Sequence, residues 1–297
     1  MEKIVPHFWF DTEAKEAVDF YMSLFEDSEM LVVQELEGTP SGENTEAYEF
    51  KLAGQRFAAL NGGPLFKINP SISMTVLGDT KEEIQKLWDQ FIDGGKELMP
   101  LQKYGFSEFY GWVEDRYGLT WQLISAEGMV YDQKIIPSLM FSGTVNGKAR
   151  EAVTYYTELF QDGEILDIHE YEEGQANTSQ AETAHAFFKL MDMELIAADN
   201  GEEVDYNFNE AVSLMVMCVT QAQMDYYWEN LSADPKAEQC GWLKDKFGVS
   251  WQIVPMNFSE LLSTGTRKQI NAVTQAFLPM KKIDIEKLER VWTSAAE

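Results

Sequence analysis

Few side chains in this sequence could do chemistry. There are three histidines and two cysteines among 297 residues. Neither type clusters: His7, His169 and His185 are scattered, Cys218 and Cys240 form no C-x-x-C, and no Cys/His run has zinc spacing. Polar residues do recur with strand spacing. Ser71, Ser73 and Thr75 alternate with Ile72, Met74 and Val76, so the hydroxyls share one face of a strand and the apolar set the other. Thr120 and Gln122 alternate in the same way with Trp121 and Leu123, and His185 stands two residues before Phe187. Hydroxyl, amide and aromatic groups of this kind suit a small, partly apolar ligand. His185 and Cys240 are the groups to consider for metal-free acid–base or nucleophilic work. The plainer readings are that His7 and His169 have no partner evident in sequence, that Cys240 is a small buried hydrophobe, and that Trp112, Trp121, Trp242 and Trp251 pack hairpins.

An internal repeat positions these groups. GWVEDRYGLTWQLI from Gly111 returns as GWLKDKFGVSWQIV from Gly241. IVPHFWF (Ile4) pairs with IIPSLMF (Ile135), KEAVDFYMSLF (Lys15) with REAVTYYTELF (Arg150), and SISMTV (Ser71) with AVSLMV (Ala211). The chain thus divides into a first half, 1–130, a second half, 131–258, and a tail, 259–297. Within the first half, a β-rich 4–10 precedes Ala14, Ala17, Val18, Tyr21 and Phe25 at helical spacing. Strands follow near 30–35, 45–52 and 55–60, with a turn at Ala53-Gly54. The order restarts with a strand at 71–77, a helix opened by Thr80-x-x-Glu83, a weak strand near Leu98 and a hairpin over 111–124. The second half repeats the course, with Thr220-x-x-Gln223 as its capping box. The expectation is an α+β chain of four βαβββ units and a helical tail broken at Pro279, which could cover a sheet edge or a partner subunit.

The 23 Lys and Arg against 50 Asp and Glu give a net charge of −27, with 45% hydrophobic residues. The apolar content supports real cores, and a surface this acidic repels the phosphate backbone of nucleic acid and anionic membranes. No apolar run approaches a membrane span, and the opening residues lack the apolar core of a secretory signal. A cytoplasmic protein is expected.

The four-unit count, IVPHFWFDTEAKEAVDFY, NGGP from Asn61 and the two G-W-x-x-D-x-x-G-x-x-W-Q hairpins resemble the PhnB-like branch of the vicinal-oxygen-chelate (glyoxalase/bleomycin-resistance) superfamily. The resemblance spans nearly the whole chain. It implies that βαβββ units pair into curved mixed sheets whose concave faces bind ligand, so that this chain is two glyoxalase-like domains, an intramolecular pseudo-dimer that could itself form a homodimer. Catalytic members hold a divalent metal on His and Glu. The corresponding positions here fall on Pro6 or His7, Ser71 and Gln122 in the first half, and on Pro137 or Ser138, Ala211 and Gln252 in the second. His7 alone is a strong ligand, so no metal site is expected, and a divalent metal is the one cofactor left open. The resemblance directs Gln122 into a first cavity with Ser71, Ser73 and Thr75. A second cavity would present Ser213, Met215, Ser250 and Gln252, with His185, Phe187 and Lys189 from a neighbouring strand. Members of the branch are often labelled 3-demethylubiquinone methyltransferases, yet no G-x-G-x-G turn between strand and helix is present for S-adenosylmethionine. Three functions compete: metal-independent ligand binding, which is preferred; a lyase, isomerase or dioxygenase of glyoxalase type, or a metal-free catalyst; and an interaction protein using the tail.

Overall fold

The β-rich stretch Ile4–Phe10 becomes strand β1, and the next apolar stripe winds into α1 (Ala14–Leu24), burying Ala14, Ala17, Val18 and Tyr21. A computed structural model describes residues 3–39 and 42–296 and completes this first module with β2 (Glu29–Thr39), β3 (Gly42–Leu52) and β4 (Gln55–Asn61). Ala53 and Gly54 turn the β3–β4 hairpin with φ of 49° and 77°, the left-handed pair that matches strand twist. The second module is β5 (Ile72–Gly78), α2 (Lys81–Ile92), β6 (Lys96–Tyr104), β7 (Ser107–Glu114) and β8 (Thr120–Ser125). The third is β9 (Ile135–Phe141), α3 (Ala149–Leu159), β10 (Glu164–Glu170), β11 (Thr183–Leu190) and β12 (Met193–Asp199).

The fourth module departs from the expected pattern. It comprises β13 (Val212–Cys218), α4 (Gln221–Leu231), β14 (Trp242–Lys244) and β15 (Ser250–Pro255), with no counterpart of β6. Residues 232–238 turn instead: Asp234 Oδ1 accepts the Lys236 amide at 3.0 Å, and the Asp234 carbonyl accepts Ala237 N at 3.0 Å. An Asp-Pro pair favours this local bonding over a ladder. Helices α5 (Phe258–Ser263), α6 (Arg267–Phe277) and α7 (Ile285–Ala295) follow.

Two compact units result, and they are not the sequence halves 1–130 and 131–258. The first joins the opening module to residues from Asn209 onward in a curved seven-stranded sheet ordered β14-β15-β13-β1-β4-β3-β2. The second, Ile68–Phe208, is an eight-stranded sheet ordered β10-β11-β12-β9-β5-β8-β7-β6. Each therefore takes one module from each half. The exchange occurs at the open edges of the modules, where β13 pairs antiparallel with β1 and β9 with β5. In the first unit Phe8, Phe50 and Phe57 stack under α1. In the second, Phe91 of α2 stacks on Trp121 at 4.5 Å.

Candidate ligand-binding faces

The two G-W-x-x-D-x-x-G-x-x-W-Q hairpins divide their residues between scaffold and site. Buried Asp115 Oδ1 accepts the amides of Tyr117 and Leu119 at 2.8 and 3.1 Å, and its Oδ2 accepts Trp121 Nε1 at 2.9 Å. Asp245 does the same for Phe247, Val249 and Trp251 at 2.9, 3.0 and 2.8 Å. Gly118 and Gly248 both turn at φ 86°. Asp, Gly and the second Trp thus build the turn and the core, which leaves the first Trp and the Gln on the opposite face.

Strand register shows what shares that face, because directly paired residues point the same way. In the second unit Phe187 pairs with Ile196, Ile196 with Ser138 and Ser138 with Ser73; Thr75 pairs with Gln122, and Gln122 with Trp112. A polar relay crosses it: Tyr110 OH donates to Gln122 Oε1 at 2.8 Å, and Gln122 Nε2 donates to Ser73 Oγ at 2.7 Å. Thr75 and Ser138 hydroxyls bond at 2.6 Å. Ser71 ends the row, its carbonyl accepting Met140 N at 2.7 Å. Trp112 Nε1 is buried with no hydrogen-bond partner among the described residues, a donor that calls for a ligand or water acceptor. Tyr104 and exposed Phe106 pack against Tyr110 at 5.6 and 5.0 Å. His185 lies on this sheet beside His169, with its pKa lowered chiefly by burial.

The first unit carries a related row with different chemistry. Glu49 pairs with Ala58, Ala58 with His7 and His7 with Ser213; Met215 pairs with Gln252, and Gln252 with Trp242. Gln252 Nε2 donates to Ser213 Oγ at 3.0 Å, the counterpart of Gln122–Ser73. His7 takes the place of Ser138. Only 5% exposed, its Nδ1 has no partner among the described residues, and burial pushes its pKa down to about 3, so the ring is neutral at physiological pH. Trp242 stands edge-on to it at 5.4 Å, Trp9 meets Trp242 at 6.1 Å, and Phe66 meets Trp9 at 5.0 Å. The NGGP motif holds this aromatic wall. Gly63 O accepts Trp9 Nε1 at 2.8 Å, a Cβ on Gly62 would lie 2.0 Å from the Trp9 ring, and Asn61 Oδ1 caps α1 through Ala14 N at 2.8 Å.

Module exchange corrects the expected groupings. His7 joins Ser213 and Gln252, not Ser71 and Gln122, while His185, Phe187 and Lys189 lie on the sheet of Ser73 and Gln122. The tryptophans split as well: Trp121 and Trp251 are core, whereas half-buried Trp112 and Trp242 line the faces. Cys240 turns its thiol toward Leu278 O at 3.0 Å, and burial raises its pKa, the reverse of what a thiolate nucleophile requires. Sequence reading missed Trp9, Phe66, Tyr104 and Tyr110. Asn61-Gly62-Gly63 was the available signal for Trp9.

These donors do not fit a catalytic divalent metal. At the central positions the first unit offers one imidazole with a neutral hydroxyl and a neutral amide, and the second offers hydroxyls and an amide. The first unit's carboxylate Glu49 stands two strands from His7 and is paired with Arg56 at 3.4 Å, and His185 of the second is set apart on β11. Among the described residues no group of three His, Cys, Asp or Glu converges. They do not fit S-adenosylmethionine either. The turns into α1–α4 contain no G-x-G-x-G, and side chains of Asn61, Thr80, Asp199 and Thr220 already bond the first-turn amides of those helices.

A family model described as 3-demethylubiquinone-9 3-methyltransferase matches residues 2–124 and again 133–254. A structure from Bacillus cereus described as a PhnB protein is 36% identical, matching 42% of this chain and 100% of its own at a TM-score of 0.40. Glyoxalase I from Zea mays is 11% identical with a TM-score of 0.54, covering 86% of this chain and 94% of its own. A Bacillus subtilis protein provisionally described as a dioxygenase is 11% identical with a TM-score of 0.50, covering 94% and 97%. No curated protein matches.

Proposed function

Since the chain belongs to the family described as 3-demethylubiquinone-9 3-methyltransferase, as a tandem-duplicated member of the vicinal-oxygen-chelate superfamily, we propose that its concave faces bind small, partly apolar ligands without a metal and without methyl transfer. One observation carries this reading. Across six quasi-equivalent positions, His7, Ser213 and Gln252 in one unit and Ser138, Ser73 and Gln122 in the other, there is a single imidazole and no carboxylate. Aromatic walls beside each Gln–Ser pair favour a flat molecule with a polar edge. In the first unit, neutral His7 Nδ1 would meet that edge; in the second, Trp112 Nε1 would donate to it. Ser71 and His185 would border the second ligand and Phe187 would contact it.

The test is a thermal-shift screen of small aromatic compounds, with and without added Ni, Mn, Fe or Zn. A ligand at a hundredfold excess over its Kd should stabilise the protein by about 2.7 kcal/mol. Trp242→Ala or Gln122→Ala should abolish the shift for a ligand of the corresponding unit, and metal should leave it unchanged. Stoichiometric metal retained by untagged protein, or a ligand response that appears only with metal, would sink the reading. A cytoplasmic pseudo-dimer belongs to the same proposal. No helix among the described residues is long and apolar enough to cross a membrane.

A further inference from the structure

The duplicated Gln–Ser pairs differ in what they leave unbonded. In the second unit Gln122 spends both ends of its amide, accepting from Tyr110 and donating to Ser73. Its counterpart Gln252 donates to Ser213, but the repeat puts Cys240 at the place of Tyr110, and that thiol turns to Leu278 O. Among the described residues nothing donates to Gln252 Oε1. His7 adds a second unclaimed acceptor. A neutral imidazole keeps one lone pair, and no hydrogen bond to the His7 ring is made among the described residues. The basic side chains near this face are already engaged, Lys244 with Glu210 at 2.9 Å and Arg56 with Glu49 at 3.4 Å. A ligand here must therefore bring its own donors.

Three half-buried rings stand beside these acceptors. Trp242 meets Trp9 at an interplanar angle of 82°, and Trp9 meets Phe66 at 77°. Rings set at right angles leave faces open that a stacked column would cover. Trp9 is fixed before any ligand arrives, since Gly63 O holds its Nε1 and Gly62 backs the indole so closely that a Cβ would lie 2.0 to 2.4 Å from three of its atoms. The face of an indole or benzene ring is electron-rich and attracts a cation within about 6 Å of the ring centre. A net charge of −27 draws cations to the surface as a whole, and neutral His7 adds no opposing charge. The second unit has the opposite polarity: Tyr110 donates to its glutamine carbonyl, and its unpartnered buried group is the Trp112 N–H, a donor.

We infer that the first unit's face takes a protonated amine on a small aromatic body, its ammonium donating to Gln252 Oε1 and His7 while its charge lies against the Trp9 and Trp242 rings. This rests on the binding role proposed for that face and narrows it to one ligand class. Isothermal titration of the full-length chain with three probes of similar size tests it: phenethylammonium, 2-phenylethanol and 3-phenylpropanoate, at pH 7, where an alkylamine is protonated. The ammonium should bind at a single site about tenfold more tightly than the alcohol, and the carboxylate should not bind there. Trp242→Leu and Phe66→Leu should each weaken the ammonium several-fold, and Trp112→Leu in the second unit should leave it unchanged. Phe66 lies in the loop after β4, outside any strand, so its variant keeps the test decisive if Trp242→Leu fails to fold. Equal affinity for ammonium and alcohol would overturn the inference. So would ammonium binding that neither first-unit variant weakens, which marks diffuse attraction to the acidic surface. If the alcohol or the carboxylate binds and the ammonium does not, the inference fails while the ligand-binding reading stands; no binding by any of the three counts against both.

Discussion

His7 shows how placement alone can set the chemistry of a side chain. Strand β1 buries an imidazole between a hydroxyl and an indole with nothing to stabilise its charge, and the proton is excluded down to about pH 3. The unfolded chain, with a histidine value of 6.5, binds that proton more readily than the folded one. Stability from this group is thus complete above pH 6.5 and falls between pH 6.5 and about 3, by about 1.4 kcal/mol per pH unit. Denaturant titrations across this range should show a shallower acid loss in His7→Gln than in the parent protein. Identical slopes would mean that His7 is protonated in the folded state. Sequence could not disclose this behaviour, because the partners that fail to satisfy Nδ1 come from β13, β14 and β4, remote in the chain.

At the scale of elements, the short motifs are mainly scaffold. Asp115 and Asp245 spend both oxygens on their own hairpins, and Asn61 and Asp199 cap α1 and α3 from strands β4 and β12. Gly62 has a sharper duty, since any Cβ there collides with Trp9. Gly62→Ala should displace that indole, cost about 1–3 kcal/mol of stability, and weaken a first-unit ligand while sparing one in the second; chemical denaturation and paired binding curves would measure both effects. The capping residues Thr80 and Thr220 were legible because an N-cap depends on residues three apart. The lost strand at 232–238 was not, since the repeat argued for a strand there and only local Asp-Pro bonding overruled it.

For the whole molecule, duplication and module exchange explain why one chain has two unlike faces. Each unit draws on both halves, so substitutions in one half alter both sites: Ser138 in place of His7 changes the second unit, and Met215 in place of Thr75 the first. The open edge of β1 needs a β13-like strand, and β5 needs a β9-like one. Residues 1–130 produced alone should therefore associate as two copies, each filling the other's edges, as light scattering coupled to gel filtration would report. A folded monomer would show that β1 and β5 can pair within one half.

Sequence by itself determined the repeat, the strand and helix order, the capped helices, the alternation that puts serines and glutamines on one face, and the shortage of metal ligands. All of these depend on residues near in sequence or on composition. Tertiary structure alone decided which half supplies which strand to each sheet. Equivalent edges in a duplicated chain present the same hydrogen-bonding pattern, so local sequence cannot choose between pairing within a half and pairing across halves. That choice placed His7 with Gln252 and His185 with Gln122, and it put the tail against β2, in the same sheet as the module that precedes it.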